Sequence, residues 1–138
     1  MEPKLLKSVF ALIFSLAAVV MFSACSKEEV DARKPFLGSY RTNYEYVYMG
    51  QKVTGTYTLR IEPSQTNKND IILINIDDSN ESVRATVTGN AMNIPQQTIL
   101  DVGISGSGTL LNNVLTFSTM HTVTGGSQVN VSEVATKQ

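Results

Sequence analysis

Apolar and polar side chains alternate from residue 37 to the end of the chain, and turn residues interrupt the alternation at short intervals. Successive side chains of a β-strand point to opposite faces, so a period of two predicts strands with one buried face. No segment of this region competes as an amphipathic helix. The predicted strands are 37–48, 53–62, 70–76, 82–88, 91–99, 102–110, 114–123 and 128–136.

In the first predicted hairpin, the turn residues and the polar–apolar alternation agree on one register. A turn at Gly50-Gln51 places glycine first, as a type II′ turn requires, and sets Tyr46 opposite Gly55. All five tyrosines then share one apolar face, whereas the opposite face is largely polar. They are Tyr40, Tyr44, Tyr46, Tyr48 and Tyr57.

Two further hairpins have turn residues that suit tight connections. Gly89-Asn90 closes one, and Asn112-Asn113 closes the other, because Asn tolerates the positive φ of a type I′ turn. The second turn pairs Gly108 with Phe117 and leaves Gly106 on the same inward face. Glycine at inward positions is expected where a strand coils sharply to close a barrel.

The last hairpin completes a meander. We predict a three-residue loop at 125–127, which pairs His121 with Val131. This register keeps Val129 and Val131 of the last strand inside the barrel. Eight strands joined hairpin after hairpin favour closure over a Greek-key sandwich, because closure removes exposed edges. The predicted fold is therefore all-β: an eight-stranded antiparallel up-and-down barrel formed by a domain at 36–138.

Residues 1–24 have the pattern of a bacterial export signal. Lys4 and Lys7 give a positive start, and residues 9–22 are apolar except for Ser15. This run is shorter than the ~20 residues that a membrane-spanning helix needs. Residues 26–35 are highly charged and have no large apolar face, so 25–35 is interpreted as a flexible tether.

The only cysteine of the chain, Cys25, directly follows this signal. The sequence Phe22-Ser23-Ala24-Cys25 resembles the lipobox of bacterial lipoproteins. The resemblance implies cleavage before Cys25, a diacylglycerol on its thiol and a fatty acyl chain, such as palmitate, on its amino group. Several acyl chains give stable anchoring. Ser26 stands where inner-membrane lipoproteins often have Asp, and an acidic stretch follows, so we expect a surface-exposed outer-membrane lipoprotein, with the periplasmic face as the alternative.

The barrel region resembles the calycin-like, or lipocalin-like, domains of small bacterial lipoproteins. Three segments carry the resemblance: 36–40 (FLGSY), 105–110 (SGSGTL) before the Asn112-Asn113 turn, and 136–138 (TKQ). It covers residues 36–138 and implies binding of a small apolar ligand.

The candidate ligand-binding residues are mostly aromatic. The five tyrosines could line a cup and stack on a ligand, although ordinary barrel packing is the simpler interpretation. Phe117 and His121 complete the candidate set. His121 could form an acid–base pair with Glu133, which lies diagonally across the last hairpin, but a histidine reaching solvent at the barrel end is the simpler interpretation.

Composition argues against several other functions. A net charge of −1 is unlike that of a nucleic-acid binder, and one His and one Cys are too few for most zinc sites. The oxygen-rich segment 77–81 lacks the glycine of an EF-hand loop and is interpreted as a polar turn. We find no catalytic motif, so we expect no enzyme, no cofactor and no metal.

Two hypotheses of function remain open at this point. The barrel could bind a small apolar or amphipathic ligand. Alternatively, it could be a structural or accessory subunit of a surface complex, or an inhibitor-like interaction module, with a filled interior. The volume and the lining of the barrel interior separate the two hypotheses.

Overall fold

Backbone hydrogen bonds join eight strands into one antiparallel sheet that closes on itself. The computed structural model describes residues 29–138, so the predicted signal peptide and Cys25 lie outside the described residues. Neighbouring strands follow sequence order, and β1 pairs with β8 to complete the circle. The predicted all-β up-and-down barrel is confirmed. The strands are β1 (Gly38–Tyr48), β2 (Gln51–Pro63), β3 (Asp70–Ile74), β4 (Ser82–Thr88), β5 (Ala91–Ile99), β6 (Val102–Leu111), β7 (Val114–Val123) and β8 (Gln128–Lys137).

The predicted register of the first hairpin is wrong by two residues. The turn is Met49-Gly50, both at positive φ, as a type I′ turn requires. Tyr44 therefore lies opposite Gly55, and the tyrosine ring occupies the space where a Cβ at Gly55 would lie. A shift of two residues leaves every side chain on its original face, so the polarity pattern could not distinguish the two registers.

The last hairpin differs from its prediction in the same way. His121 lies opposite Val129 rather than Val131, and the strands are joined through the longer loop at 124–127. The backbone N–H of Val123 donates to the carbonyl of Ser127 across this loop, with an N···O distance of 3.0 Å. The predicted turns at 89–90 and 112–113 are confirmed, together with their registers.

One end of the barrel is closed by the chain segment that precedes β1. A 3₁₀ turn, Lys34–Phe36, buries Phe36 completely. The Tyr40 hydroxyl donates to the Phe36 carbonyl at 2.7 Å, and the Lys137 ammonium group donates to the Pro35 carbonyl at 3.0 Å. Burial raises the pKa of Tyr40 to about 12. We call this end, which also carries the turns at 89–90 and 112–113, the closed end.

The segment just before this 3₁₀ turn also contacts the barrel. Arg33 donates to the carbonyl of Ser64 at 3.2 Å and pairs with Asp31 at 2.9 Å. These hydrogen bonds from Arg33 lower the pKa of Asp31 to about 2. Residues 31–35, which the sequence analysis assigned to the tether, therefore lie against the barrel, and the compact unit spans Asp31–Gln138.

Apolar side chains fill most of the barrel interior. They come from inward positions of most strands and from the turn after β3, as alternation requires. These side chains are Leu59, Ile61, Ile71, Leu73, Ile76, Val83, Ala85, Met92, Ile94 and Leu115.

Replacement of Gly106 by alanine is expected to destabilise the protein by about 1–3 kcal/mol. A Cβ at Gly106 would overlap the Ser118 carbonyl oxygen and lie 3.2 Å from the Thr119 Cα, and these backbone atoms of β7 cannot rotate away. Urea denaturation measures the free energy of unfolding. Ser107→Ala, on the exposed face of the same strand, should change it by no more than ~0.5 kcal/mol. Equal effects of the two substitutions would contradict the close approach of β6 and β7.

Candidate functional site

A cavity of about 430 Å³ opens at the end of the barrel opposite the closed end. The turns at 49–50 and 100–101 and the loops at 75–81 and 124–127 lie at this open end. The volume falls within the ~300–1,000 Å³ that is usual for small-molecule sites. The lining residues are Tyr44, Tyr46, Tyr48, Asp77, Val102, His121, Val123, Val129 and Val131.

Tyrosines of β1 form the aromatic wall of this cavity. Tyr44 and Tyr46 lie on the same face of the strand, with ring centroids 6.2 Å apart and planes 15° from parallel. Tyr57 of β2 lies behind Tyr44, with a centroid distance of 6.1 Å. Valines of β6, β7 and β8 provide much of the remaining lining, so an apolar or aromatic ligand would contact hydrocarbon on most sides.

Polar side chains lie at the inner limit of the cavity. Along β8, Val129 and Val131 line the cavity, and the next inward residue, Glu133, is only 1% exposed. The Tyr57 hydroxyl donates to Glu133 Oε1, and the Thr119 hydroxyl lies 3.5 Å from Glu133 Oε2. We use the name polar cluster for Tyr57, Asp77, Thr119, His121 and Glu133.

His121 joins the cavity to this cluster. Its Nε2 atom lies 3.1 Å from Asp77 Oδ2 and 3.0 Å from the Thr119 hydroxyl. Asp77 and Thr119 are in turn hydrogen-bond partners of Glu133. His121 is thus connected to Glu133 indirectly, by one route through Asp77 and another through Thr119. The direct pairing of His121 with Glu133 that the sequence suggested is not present.

Burial raises the pKa of Glu133 to about 8, and the negative charge of Asp77 contributes to the increase. Burial also raises the pKa of Tyr57, with the charge of Glu133 as a further cause. Glu133 is therefore protonated at neutral pH and can donate its proton to Asp77.

Asp77 reaches the barrel interior because the loop after β3 turns back on itself. Asn75, Asp77, Asp78 and Asn80 all have positive φ, a conformation that Asn and Asp adopt more readily than other side chains do. Ile76 between them is fully buried and fixes the loop to the core. The sequence predicts a polar turn at 77–81, and the inward position of Asp77 was not predicted. The feature that could have indicated this inward position is Ile76, an isolated apolar residue within an Asn- and Asp-rich segment.

The predicted site residues divide into three groups. Tyr44, Tyr46, Tyr48 and His121 line the cavity, and Tyr57 lies beside them in the polar cluster. Tyr40 is at the closed end, where its hydroxyl binds the carbonyl of the preceding 3₁₀ turn. Phe117 is buried in the core beside Gly108.

The protein is thus a closed eight-stranded antiparallel β-barrel with a cavity at its open end, an architecture consistent with a calycin-like fold. No protein-family model matches the chain, and no curated protein matches it significantly. Within residues 29–138, no helix is long and apolar enough to cross a membrane. In the same range, no group of three His, Cys, Asp or Glu side chains is arranged to hold a metal ion.

Replacement of Glu133 by glutamine is expected to change how stability depends on pH. The pKa of this carboxyl group is about 8 in the folded protein, against 4.5 for an ordinary glutamate, so between pH 4.5 and pH 8 the group binds more protons in the folded than in the unfolded chain. Stability of the parent protein should therefore fall as pH rises through this window, by at most about 1.4 kcal/mol per pH unit for one proton. In Glu133→Gln this contribution should be absent.

Urea denaturation at several pH values between 5 and 8 measures both profiles. Glu62→Gln removes an exposed carboxylate that pairs with Arg60 at 3.1 Å, and its profile should run parallel to that of the parent. Parallel profiles for the parent and Glu133→Gln would show that the buried carboxyl group does not hold its proton.

Proposed function

We propose that this protein is a lipid-anchored binding protein that holds a small apolar or amphipathic ligand in its open cavity. The observation that carries the proposal is a cavity that the core leaves open. Core side chains fill most of the barrel interior, whereas about 430 Å³ remains unfilled at the open end, between the tyrosines of β1 and the valines of β6, β7 and β8. A barrel that served only as a scaffold would gain stability from filling this volume as well.

The lining of the cavity supports an amphipathic ligand in particular. Tyrosine rings and valines offer an apolar surface over most of the cavity, and the polar groups are concentrated at its inner limit. Small-molecule sites commonly combine an apolar lining with a few polar groups that fix orientation. A ligand would accordingly enter with its polar head towards Asp77 and His121.

Anchoring through Cys25 is the second part of the proposal. Its support is the lipobox-like sequence at 22–25 and the position of Asp31 and Arg33 at the closed end. From Cys25 to Asp31, a fully extended chain spans roughly 20 Å, at ~3.5 Å per residue. A lipid on Cys25 would therefore keep Asp31 within roughly this distance of the membrane. We propose the outer membrane as the site, with the protein on the cell surface or on the periplasmic face.

A second candidate function is that of an accessory subunit or interaction module of a surface complex. Exposed apolar side chains at the open end favour it: Met49 is 84% exposed and Leu100 is 77% exposed. Both residues have positive φ, which is unusual for large side chains. If this function is the correct one, the double variant Met49→Ser, Leu100→Ser should lose its partner while any ligand binding stays unchanged.

Val129→Trp is expected to abolish ligand binding, because the indole would occupy the cavity. Native mass spectrometry of protein purified from its own membrane should detect a bound small molecule on the parent chain and not on this variant. Asn130→Trp adds the same bulk at an exposed position of the same strand, and it should retain the ligand. A parent chain that carries no bound mass would contradict the proposed binding function.

Cys25→Ala is expected to release the protein from the membrane fraction. The intact mass of the parent protein should correspond to cleavage before Cys25 plus a diacylglycerol and one fatty acyl chain. Ser26→Ala leaves the acceptor thiol in place and should remain in the membrane. An unmodified thiol on the parent protein would overturn the proposed anchoring and leave the cavity argument unaffected.

A further inference from the structure

We infer that the cavity selects ligands with a protonated amine, whose cationic head pairs with Asp77 while its apolar body lies among the tyrosines and valines. The inference rests on the proposed binding function, since it names the ligand class for the same cavity. It follows from the charges inside the barrel, the charges around the cavity mouth and the aromatic wall.

The charges inside the barrel are not balanced by a permanent cation. The cavity and the polar cluster contain two carboxyl groups, one imidazole and several hydroxyls, whereas no Lys or Arg lines the cavity. On the outside of the barrel, Lys52 pairs with Glu45 and Arg60 pairs with Glu62. An anionic head group would therefore meet no fixed positive charge, whereas an ammonium group would meet the Asp77 carboxyl group, which borders the cavity beside the His121 ring.

Acidic residues also predominate around the cavity mouth. The loop at 75–81 carries Asp78 and Glu81 in addition to Asp77, and Asp101 lies in the turn between β5 and β6. Lys52, the nearby cation on the β1–β2 hairpin, is neutralised by Glu45, with an N···O distance of 2.9 Å. Charges of one sign around an apolar opening raise the local concentration of oppositely charged ligands.

The aromatic wall suits the same ligand class. The faces of tyrosine rings attract cations by about 0.5–1 kcal/mol at exposed sites in proteins generally. Tyr44, Tyr46 and Tyr48 line one side of the path from the mouth to Asp77. They can stabilise an ammonium group on its way in and then pack against the hydrocarbon body of the bound ligand.

Binding of an ammonium group should release a proton. The titratable groups that face Glu133 are Tyr57 on β2, Asp77 in the loop after β3 and, through Thr119, His121 on β7. Before binding, burial and the charge of Asp77 keep a proton on Glu133. An ammonium group beside Asp77 offsets the charge that helps to hold this proton, so the Glu133 O–H bond breaks and the proton leaves to solvent. No other bond changes, and the total charge is conserved.

Three indole derivatives that differ only in the head group on a two-carbon side chain test the inference. They are tryptamine, tryptophol and indole-3-propionate, which carry an ammonium, a hydroxyl and a carboxylate group. The full chain in lipid nanodiscs is titrated with each compound at pH 7 by isothermal calorimetry, with empty nanodiscs as the blank. We expect tryptamine to bind at least tenfold more tightly than either analogue. Repetition in buffers of different ionisation enthalpy should show up to one proton released.

Two neighbouring substitutions identify the carboxylate responsible. Asp77→Asn should weaken tryptamine binding at least tenfold and leave tryptophol binding unchanged. Asp78→Asn makes the same charge change at an exposed position of the same loop; it removes one mouth charge but no contact with the bound ammonium group, so it should weaken tryptamine binding much less than Asp77→Asn does. Both positions have positive φ, which Asn tolerates, so neither substitution strains the backbone.

The outcomes separate this inference from the proposed function. Binding of tryptophol or indole-3-propionate as tight as that of tryptamine would overturn the inference, while the binding function would stand. If none of the three compounds binds, the head group of the ligand in native preparations decides: an amine supports the inference and any other group overturns it. No binding together with no native ligand would overturn both.

Discussion

Closure of the barrel is the constraint on which the rest of the structure depends. One edge of β1 pairs with β2, and its other edge pairs with β8 from Tyr40 opposite Lys137 to Glu45 opposite Ser132. Once the sheet is closed, every inward side chain competes for one limited volume, since eight strands enclose little more than their own side chains. This limit explains why Tyr44 lies over Gly55 and why Phe117 lies against Gly108.

The same constraint gives the polar cluster its properties. Glu133 occupies an inward position of β8 between Val131 and Ala135, so closure takes its carboxyl group out of water. Burial of a charge is strongly unfavourable, and Glu133 avoids it by keeping its proton and by hydrogen bonding to Tyr57. Thr42, opposite Tyr57 in the sheet, buries a hydroxyl oxygen that has no hydrogen-bond partner among the described residues. The barrel interior is thus more polar than its packing alone requires.

Much of the fold could be predicted from alternation and turn chemistry, because both act over a few residues. Alternation located all eight strands, and Asn112-Asn113 identified a type I′ turn with the correct register. The first hairpin could not be placed in the same way. Its type I′ turn has Met49 where Asn is preferred, and a two-residue shift preserves the faces of both strands. Where turn residues depart from the usual preference, polarity alone does not determine register.

The candidate site was only partly predictable, for a related reason. Tyr44, Tyr46, Tyr48 and His121 lie on strands, where period two indicates which side chains point inward. Asp77 lies in a loop, and its inward direction depends on four positive-φ residues and on the burial of Ile76. These features arise from tertiary packing, so local sequence patterns do not reveal them. The protonation of Glu133 depends on burial and on Asp77 together, and no strand pattern encodes that combination.

The central claim is that a protonated Glu133 marks the boundary between the filled core and the open cavity. Carbon-13 NMR of the glutamate side-chain carboxyl carbons, followed from pH 4 to pH 9 and assigned through Glu133→Gln, tests it most directly. The account predicts that the Glu133 resonance titrates well above those of the exposed glutamates, with a pKa of about 8. A Glu133 resonance that titrates together with the exposed carboxylates would contradict the account.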